Sequence, residues 1–231
     1  MTTIAENLQA VRARIDRAAQ AARRDAAQVT LLAVSKTHPA ARIEEARLAG
    51  QLAFGENYVQ EALEKMAALP ALEWHLIGPL QSNKTRVAAE SFAWVQTVER
   101  EKIARRLSEQ RPAGLDPLNV LIQVNASGEA TKSGAAFDEL LALARSISAL
   151  PRLRLRGLMA IPEPGAPRER YREVRLAYEK LKAQFGCDTL SMGMSDDLEL
   201  AIAEGATMLR VGTAIFGARS VGSRQEKESA A

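Results

Sequence analysis

In "LLAVSKTHP" (residues 31–39) an apolar run ends on Ser35 and Lys36. A lysine is costly to bury without a partner. Two uses for it are physically reasonable. Its stem can lie along the rim of the fold with the ammonium in water, or its desolvated amine can serve as a nucleophile toward a carbonyl. Two later segments have the chemistry of an anion cradle. "SMGMS" (191–195) brings the Ser195 hydroxyl, a glycine and several N–H groups to the front of the stretch 196–205. "RVGTAIFG" (210–217) puts Gly212 and Thr213 where a turn or helix begins. Free N–H groups at helix starts bind phosphate. The plainer alternative makes Ser195 an N-cap and Gly212 and Gly217 turn residues. Arg210 sits among apolar neighbours in "MLRVG", so its guanidinium requires an ion-pair partner or a ligand acceptor.

These groups can act together only if the fold brings them to one place. Helical and strand signals alternate along the chain. Residues 3–24 carry Ile4, Leu8, Val11, Ile15, Ala18 and Ala22, an apolar stripe at helical spacing. Short apolar runs at 29–35, 52–56, 73–78, 94–98, 118–125, 153–161, 189–193 and 208–212 read as strands buried on both faces. Between them lie helical stretches at 39–50, 57–70, 82–90, 100–111, 134–150, 168–186 and 196–205. Eight such units imply a parallel sheet, either an open doubly wound one or a closed (β/α)8 TIM barrel. The length of 231 residues is close to the barrel norm of roughly 250, and no Pro/Gly/Ser linker divides the chain. The expectation is a single-domain α/β barrel over residues 1–219 with an extra N-terminal helix, followed by a polar tail at 220–231.

In a barrel the site lies at the C-terminal ends of the strands. That selects Ser35-Lys36, Glu56-Asn57, Ser195, Arg210, Gly212 and Thr213, with barrel loops seven and eight the usual phosphate holders. Glu56 and Asn57 either hydrogen-bond a ligand or cap the next helix. His75 reads as a packed, hydrogen-bonded rim residue and His38 as a solvated loop residue. Met159 either packs on a flat ring or fills the core.

Composition narrows the class. Apolar residues make up 47% and charged residues 26%, an ordinary globular balance. A net charge of +3 with no dense basic tract gives no reason to expect a nucleic-acid partner. One cysteine and two histidines make neither a disulfide nor a convincing metal site. The N-terminus lacks the apolar centre of a signal peptide, and no run approaches a membrane span. A cytoplasmic protein with no membrane partner is the expectation. A lysine amine, a phosphate cradle and a partner for a pyridine nitrogen are together what pyridoxal 5′-phosphate asks of a protein. Arg210 is the candidate for the third role.

The segments "AVSKTHP", "FGENYVQE", "WHLIGPLQSNK", "VNASGEATKSG", "GLMAI" and "LSMGMSDDLELAIAEGATMLRVGTAIFGAR" occur in this order. In them the chain resembles the pyridoxal phosphate homeostasis protein family, the YggS/PROSC type, from about residue 29 to 219. That family is similar to the barrel domain of alanine racemase standing alone. The resemblance implies that Lys36 carries pyridoxal 5′-phosphate as a Schiff base and that Arg210 faces the pyridine nitrogen. It also implies that Ser195, Gly212 and Thr213 hold the phosphate, with Asn57 near the cofactor. It implies a part in vitamin B6 balance rather than a settled catalytic reaction.

An arginine opposite the pyridine nitrogen disfavours ring protonation and so weakens the ring as an electron sink. The chain ends after the eighth unit, without the second domain from which alanine racemases draw a tyrosine base. Its own tyrosines are Tyr58, Tyr171 and Tyr178, the last two on the predicted helix 168–186. A non-catalytic carrier or regulator, with transient contacts to apo-enzymes that use the cofactor, is the first expectation; a small one-base racemase or lyase is the alternative. A monomer is expected, since the racemase dimer contact is missing. Lys132, after the fifth strand, is either a solvated loop residue or a second amine that takes the aldehyde in transit.

Overall fold

Strands buried on both faces must be covered by helices outside and by each other inside. The computed structural model, which describes residues 2–127 and 133–217, solves this by closure. Helix α1 (Ile4–Ala21) precedes β1 (Thr30–Val34). Then come α2 (Ala40–Leu48), β2 (Ala53–Glu56), α3 (Val59–Ala68), β3 (Glu73–Leu76), α4 (Thr85–Ser91), β4 (Trp94–Val98), α5 (Glu101–Gln110) and β5 (Leu118–Val124). The chain continues with α6 (Leu140–Ser148), β6 (Leu153–Ala160), α7 (Arg168–Phe185), β7 (Thr189–Ser191), α8 (Leu198–Ala203), β8 (Met208–Val211) and the single turn α9 (Thr213–Phe216). The strands are all parallel and close in sequence order, with β1 pairing β8. The closed barrel matches the expected fold class.

Local sequence explains the elements. Thr3 and Glu6 form a reciprocal capping box at the start of α1. Its stripe Ile4, Leu8, Val11, Ile15 and Ala18 is buried as the spacing predicts. Helix α7 ends on Gly186 in the left-handed conformation, φ 67°. The expected helix 134–150 begins only at Leu140. Its first residues lie parallel to the end of β5, where Ala135 bridges Val124 and the Asn125 N–H donates to the Ala135 carbonyl.

Register decides which side chains fill the barrel. Paired residues on neighbouring strands face the same way, so Leu32 and Arg210, Gly55 and His75, His75 and Trp94, and Met159 and Ser191 face inward together. Trp94, Leu121 and Met159 form a small apolar cluster separate from the main core between barrel and helices. Met159 is therefore interior filling.

Beside that cluster runs a polar line across the barrel. An Arg210 Nη1 hydrogen donates to Ser191 Oγ (2.8 Å), which donates to Gln96 Oε1 (2.7 Å). Gln96 Nε2 lies 2.9 Å from His75 Nδ1, and His75 Nε2 lies 2.8 Å from Glu73 Oε1. An ionised Glu73 only accepts, so it selects the Nε2–H tautomer of His75, and every donor then points from Arg210 toward Glu73. His75 is thus fully buried inside the barrel and stacked on Trp94, not placed at the rim as the sequence suggested. Burial holds its pKa below the usual imidazole range. The Glu73 carboxylate pulls against this, and the Arg156 guanidinium adds to it.

The folded state thus refuses a proton that the unfolded imidazole accepts near pH 6.5. Stability from this source is complete above about pH 6.5 and falls below it, by at most about 1.4 kcal/mol per pH unit. Urea midpoints measured from pH 8 to 5 are expected to drop along this limb, and His75→Gln is expected to flatten it. An unchanged limb in that variant would assign the acid sensitivity to other groups.

Candidate functional site

The C-terminal ends of β1, β2, β3, β6, β7 and β8 border a cavity of about 230 Å3. Lys36 enters it from the turn after β1, Asn57 from the end of β2, and Ser195 from the loop after β7. Arg210 reaches it from within β8, and Gly212 and Thr213 from the link into α9. All six residues singled out from the sequence line this cavity. Val34, Ile77, Ile161 and Met194 supply its apolar walls.

Arg210 is the electrostatic centre. It is almost wholly buried, and desolvation brings its pKa down to about 10, with only the more distant charge of Asp197 opposing. Its Nη1 donates to Ser191 Oγ and its Nη2 to the Ala160 carbonyl. Both acceptors are neutral, and among the described residues no carboxylate forms an ion pair with it. A buried cation without a counter-ion is expensive. One that borders a cavity is placed to meet an acceptor brought by a ligand.

The residues that follow Arg210 in the chain, with the loop after β7, suit an anion. Among the described residues, the N–H groups of Gly212 and Thr213 have no backbone acceptor. A Cβ on Gly212 would lie 3.1 Å from the Val34 carbonyl oxygen, a tight contact that would push the loop slightly away from β1. Ser195 is not the N-cap of α8; Asp197 occupies that position. The Ala214 N–H instead donates to Ser195 Oγ (3.4 Å), which ties the two loops together. Gly193, at φ 99°, sets the approach: a Cβ there would come within 2.4 Å of the Ala201 Cβ. Helix α1 braces both loops from outside. Arg14 Nη2 donates to the Ser195 carbonyl (3.1 Å), and Asn7 Nδ2 to the Ile215 carbonyl (2.9 Å).

Two expectations change and one alternative falls away. His38 is not a solvated loop residue: it lines the cavity and stacks on Phe216 with ring centroids 4.9 Å apart. Glu56 neither faces the cavity nor caps a helix; it points outward and is buried against Lys65 on α3. Asn57 does not cap α3, whose N-cap is Tyr58. Of the residues the sequence reading missed, His38 had one signal, its place two residues after Lys36. Lys132 and the tail 220–231 lie outside the described residues. Among the described residues no group of three His, Cys, Asp or Glu side chains is arranged to hold a metal ion. No helix among them is long and apolar enough to cross a membrane.

Comparison with known proteins places this geometry. The alanine racemase N-terminal domain family model matches residues 7–220. A pyridoxal phosphate homeostasis protein of Pseudomonas aeruginosa is 63% identical over 226 residues, covering 96% of this chain and 98% of that one. The protein of the same name in Escherichia coli K12 is 55% identical, over 95% and 98% of the two chains. PipY of Synechococcus elongatus, solved with PLP bound, superposes with a TM-score of 0.81 at 39% identity, covering 93% of this chain and all of that one. Alanine racemase from Corynebacterium glutamicum shares the fold at 18% identity and a TM-score of 0.67, over 94% of this chain but 60% of its own. A barrel with a cavity at its C-terminal end and relatives matched over nearly their whole length lead to one assignment: the chain belongs to the pyridoxal phosphate homeostasis protein family, within the alanine racemase N-terminal domain family.

Proposed function

We propose that this chain binds pyridoxal 5′-phosphate in the cavity and acts in intracellular vitamin B6 homeostasis as a carrier or regulator. The observation that carries the reading is Arg210, a buried guanidinium that borders the cavity and hydrogen-bonds only neutral acceptors. The cofactor's pyridine nitrogen would give this guanidinium a further acceptor on the cavity side. The N–H groups of Gly212 and Thr213, with the Ser195 hydroxyl, suit the phosphate, and Asn57 borders the same space. When bound, the cofactor supplies an aldehyde with which the Lys36 amine condenses as a Schiff base. PipY, solved with PLP bound, supports the assignment.

Arg210 offers donors only, and its direction is held by Ser191 and the Ala160 carbonyl. It therefore keeps a proton off the ring nitrogen and limits electron withdrawal. None of the tyrosines Tyr58, Tyr171 and Tyr178 borders the cavity, so a tyrosine base is missing from its lining. Tyr171 instead donates to Asp197 Oδ2 at 2.6 Å, and burial with that carboxylate pushes its pKa up. These features favour storage and delivery over carbanion chemistry, by a cytoplasmic monomer that meets acceptor apo-enzymes transiently. The alternative is a one-base racemase or lyase.

The test is an absorbance spectrum of the loaded protein before and after borohydride, followed by peptide mapping. Reduction trapped on Lys36 is expected; a spectrum without an imine band overturns the reading. Added amino acids are expected to give no turnover at ordinary enzymatic rates, and turnover at such rates would favour the enzyme. Arg210→Met removes charged hydrogen bonds worth ~1.5–3 kcal/mol, so cofactor affinity is expected to fall about tenfold to a hundredfold. Parent-like affinity in an equilibrium titration would remove Arg210 from the site.

A further inference from the structure

Lys36 lies in a tight turn. The His38 N–H donates to the Ser35 carbonyl at 3.1 Å, closing a four-residue β-turn with Lys36 and Thr37 at its centre. Thr37 has φ 67°. A positive φ at the third residue marks the type II geometry, in which that position favours glycine or asparagine. A β-branched threonine there is strained. The alternative type I turn differs by a flip of the peptide between the two central residues, here Lys36 and Thr37.

A buried ion cluster grips both sides of that peptide. The Thr37 N–H donates to Glu61 Oε1 at 2.6 Å. The same oxygen accepts from Lys65 Nζ at 2.9 Å. Lys65 also donates to Glu56 Oε1 (2.7 Å) and to the Ser35 carbonyl (2.8 Å), while the Ser35 hydroxyl donates to Glu56 Oε1 (2.6 Å). All three ammonium hydrogens are thus committed, and Lys65 and Glu56 are nearly inaccessible. A lysine buried between two carboxylates is weak evidence for stability, because desolvation offsets attraction. Neither Glu56, Glu61 nor Lys65 lines the cavity. What the cluster does hold is the backbone on each side of Lys36.

We propose that Glu61, Lys65 and Glu56 are positioning residues for Lys36. They hold the Lys36–Thr37 peptide in the strained orientation from which the Lys36 side chain enters the cavity. This rests on the reading of Lys36 as the cofactor's anchor. Glu61 is the key contact, since its acceptor oxygen faces the N–H that a peptide flip would carry away. Lys65 and Glu56 fix Glu61 and Ser35 relative to each other across α3 and β2.

The test uses the full-length protein titrated with pyridoxal 5′-phosphate. Three quantities are read: dissociation constant, fraction trapped on Lys36 by borohydride, and melting temperature. Glu61→Leu is expected to weaken binding about tenfold or more and to lower the trapped fraction. Adding Thr37→Gly to it is expected to restore most of the loss, because glycine adopts a positive φ unaided. Thr37→Pro leaves the ion cluster intact but removes the N–H and forbids the positive φ. It is expected to reproduce the loss together with a modest fall in melting temperature, since the N–H it removes is hydrogen-bonded, and it decides the matter if Glu61→Leu does not fold. Parent-like binding in Glu61→Leu or Thr37→Pro overturns the proposal. So does a loss in Glu61→Leu that Thr37→Gly leaves uncorrected, since the cluster would then act through packing alone. If the parent protein itself is not trapped on Lys36, it is the anchor reading that fails.

Discussion

Lys36→Ala is expected to leave the barrel folded while abolishing covalent retention of pyridoxal 5′-phosphate. Lys36 is only partly buried in a turn, so its truncation removes little packing and stability is expected to move by about 0.5 kcal/mol or less. The imine absorbance band and the borohydride-trapped adduct should both vanish. Reversible binding should persist at reduced affinity, because Arg210 and the loops at Ser195, Gly212 and Thr213 are untouched. Equilibrium dialysis beside mass spectrometry of the reduced protein separates the two effects. A trapped adduct at parent level in Lys36→Ala would place the reactive amine elsewhere on the chain.

The largest loss of stability is expected from Gly157→Ala. Gly157 has φ 147°, and a Cβ there would stand 1.9 Å from the Thr189 carbonyl oxygen of the paired strand β7. Neither strand can yield without opening the β6–β7 ladder. The position also follows a bulge: Val120 pairs Leu155, but Leu121 pairs Gly157, leaving Arg156 as the extra residue. That extra residue turns Arg156 over the Trp94 ring (4.6 Å) and onto Asp188. Strain and broken pairing together are expected to cost about 4 kcal/mol or more. The readout is a melting temperature lower by more than about 10 °C, or failure to recover soluble protein. A parent-like melting curve would mean that the bulge relaxes freely.

Much of the architecture was legible because doubly buried strands are written as continuous apolar runs, and helices by caps and stripes. The apolar run around Leu32 and the stripe from Ile4 to Ala18 both lie where their patterns put them. The expected helix start at 134 failed for a tertiary reason. Ala135 is drawn to Val124 by a β-bridge, which helical propensity does not record. His75 was misjudged because "EWHLIG" is buried on both faces, and such a run carries no alternation to say which side chain faces the axis. Barrel closure made that choice, and with it the polar line from Arg210 to Glu73.

The candidate site divides in the same way. Lys36, Asn57, Ser195, Arg210, Gly212 and Thr213 could be named from residue type and from their places at strand ends, since a barrel gathers those ends on one face. The sequence by itself thus determined the eight alternating units, the lysine at the end of the first strand and the small, polar character of the loops after the seventh and eighth. Only the tertiary structure decided what surrounds them. Glu56 and Lys65 are nine positions apart, on a strand end and a helix, and no local periodicity pairs them. His38 meets Phe216 only because β1 lies beside β8. Local patterns report each element's own burial, whereas contacts between elements depend on registers and closure that exist only when all eight strands have met.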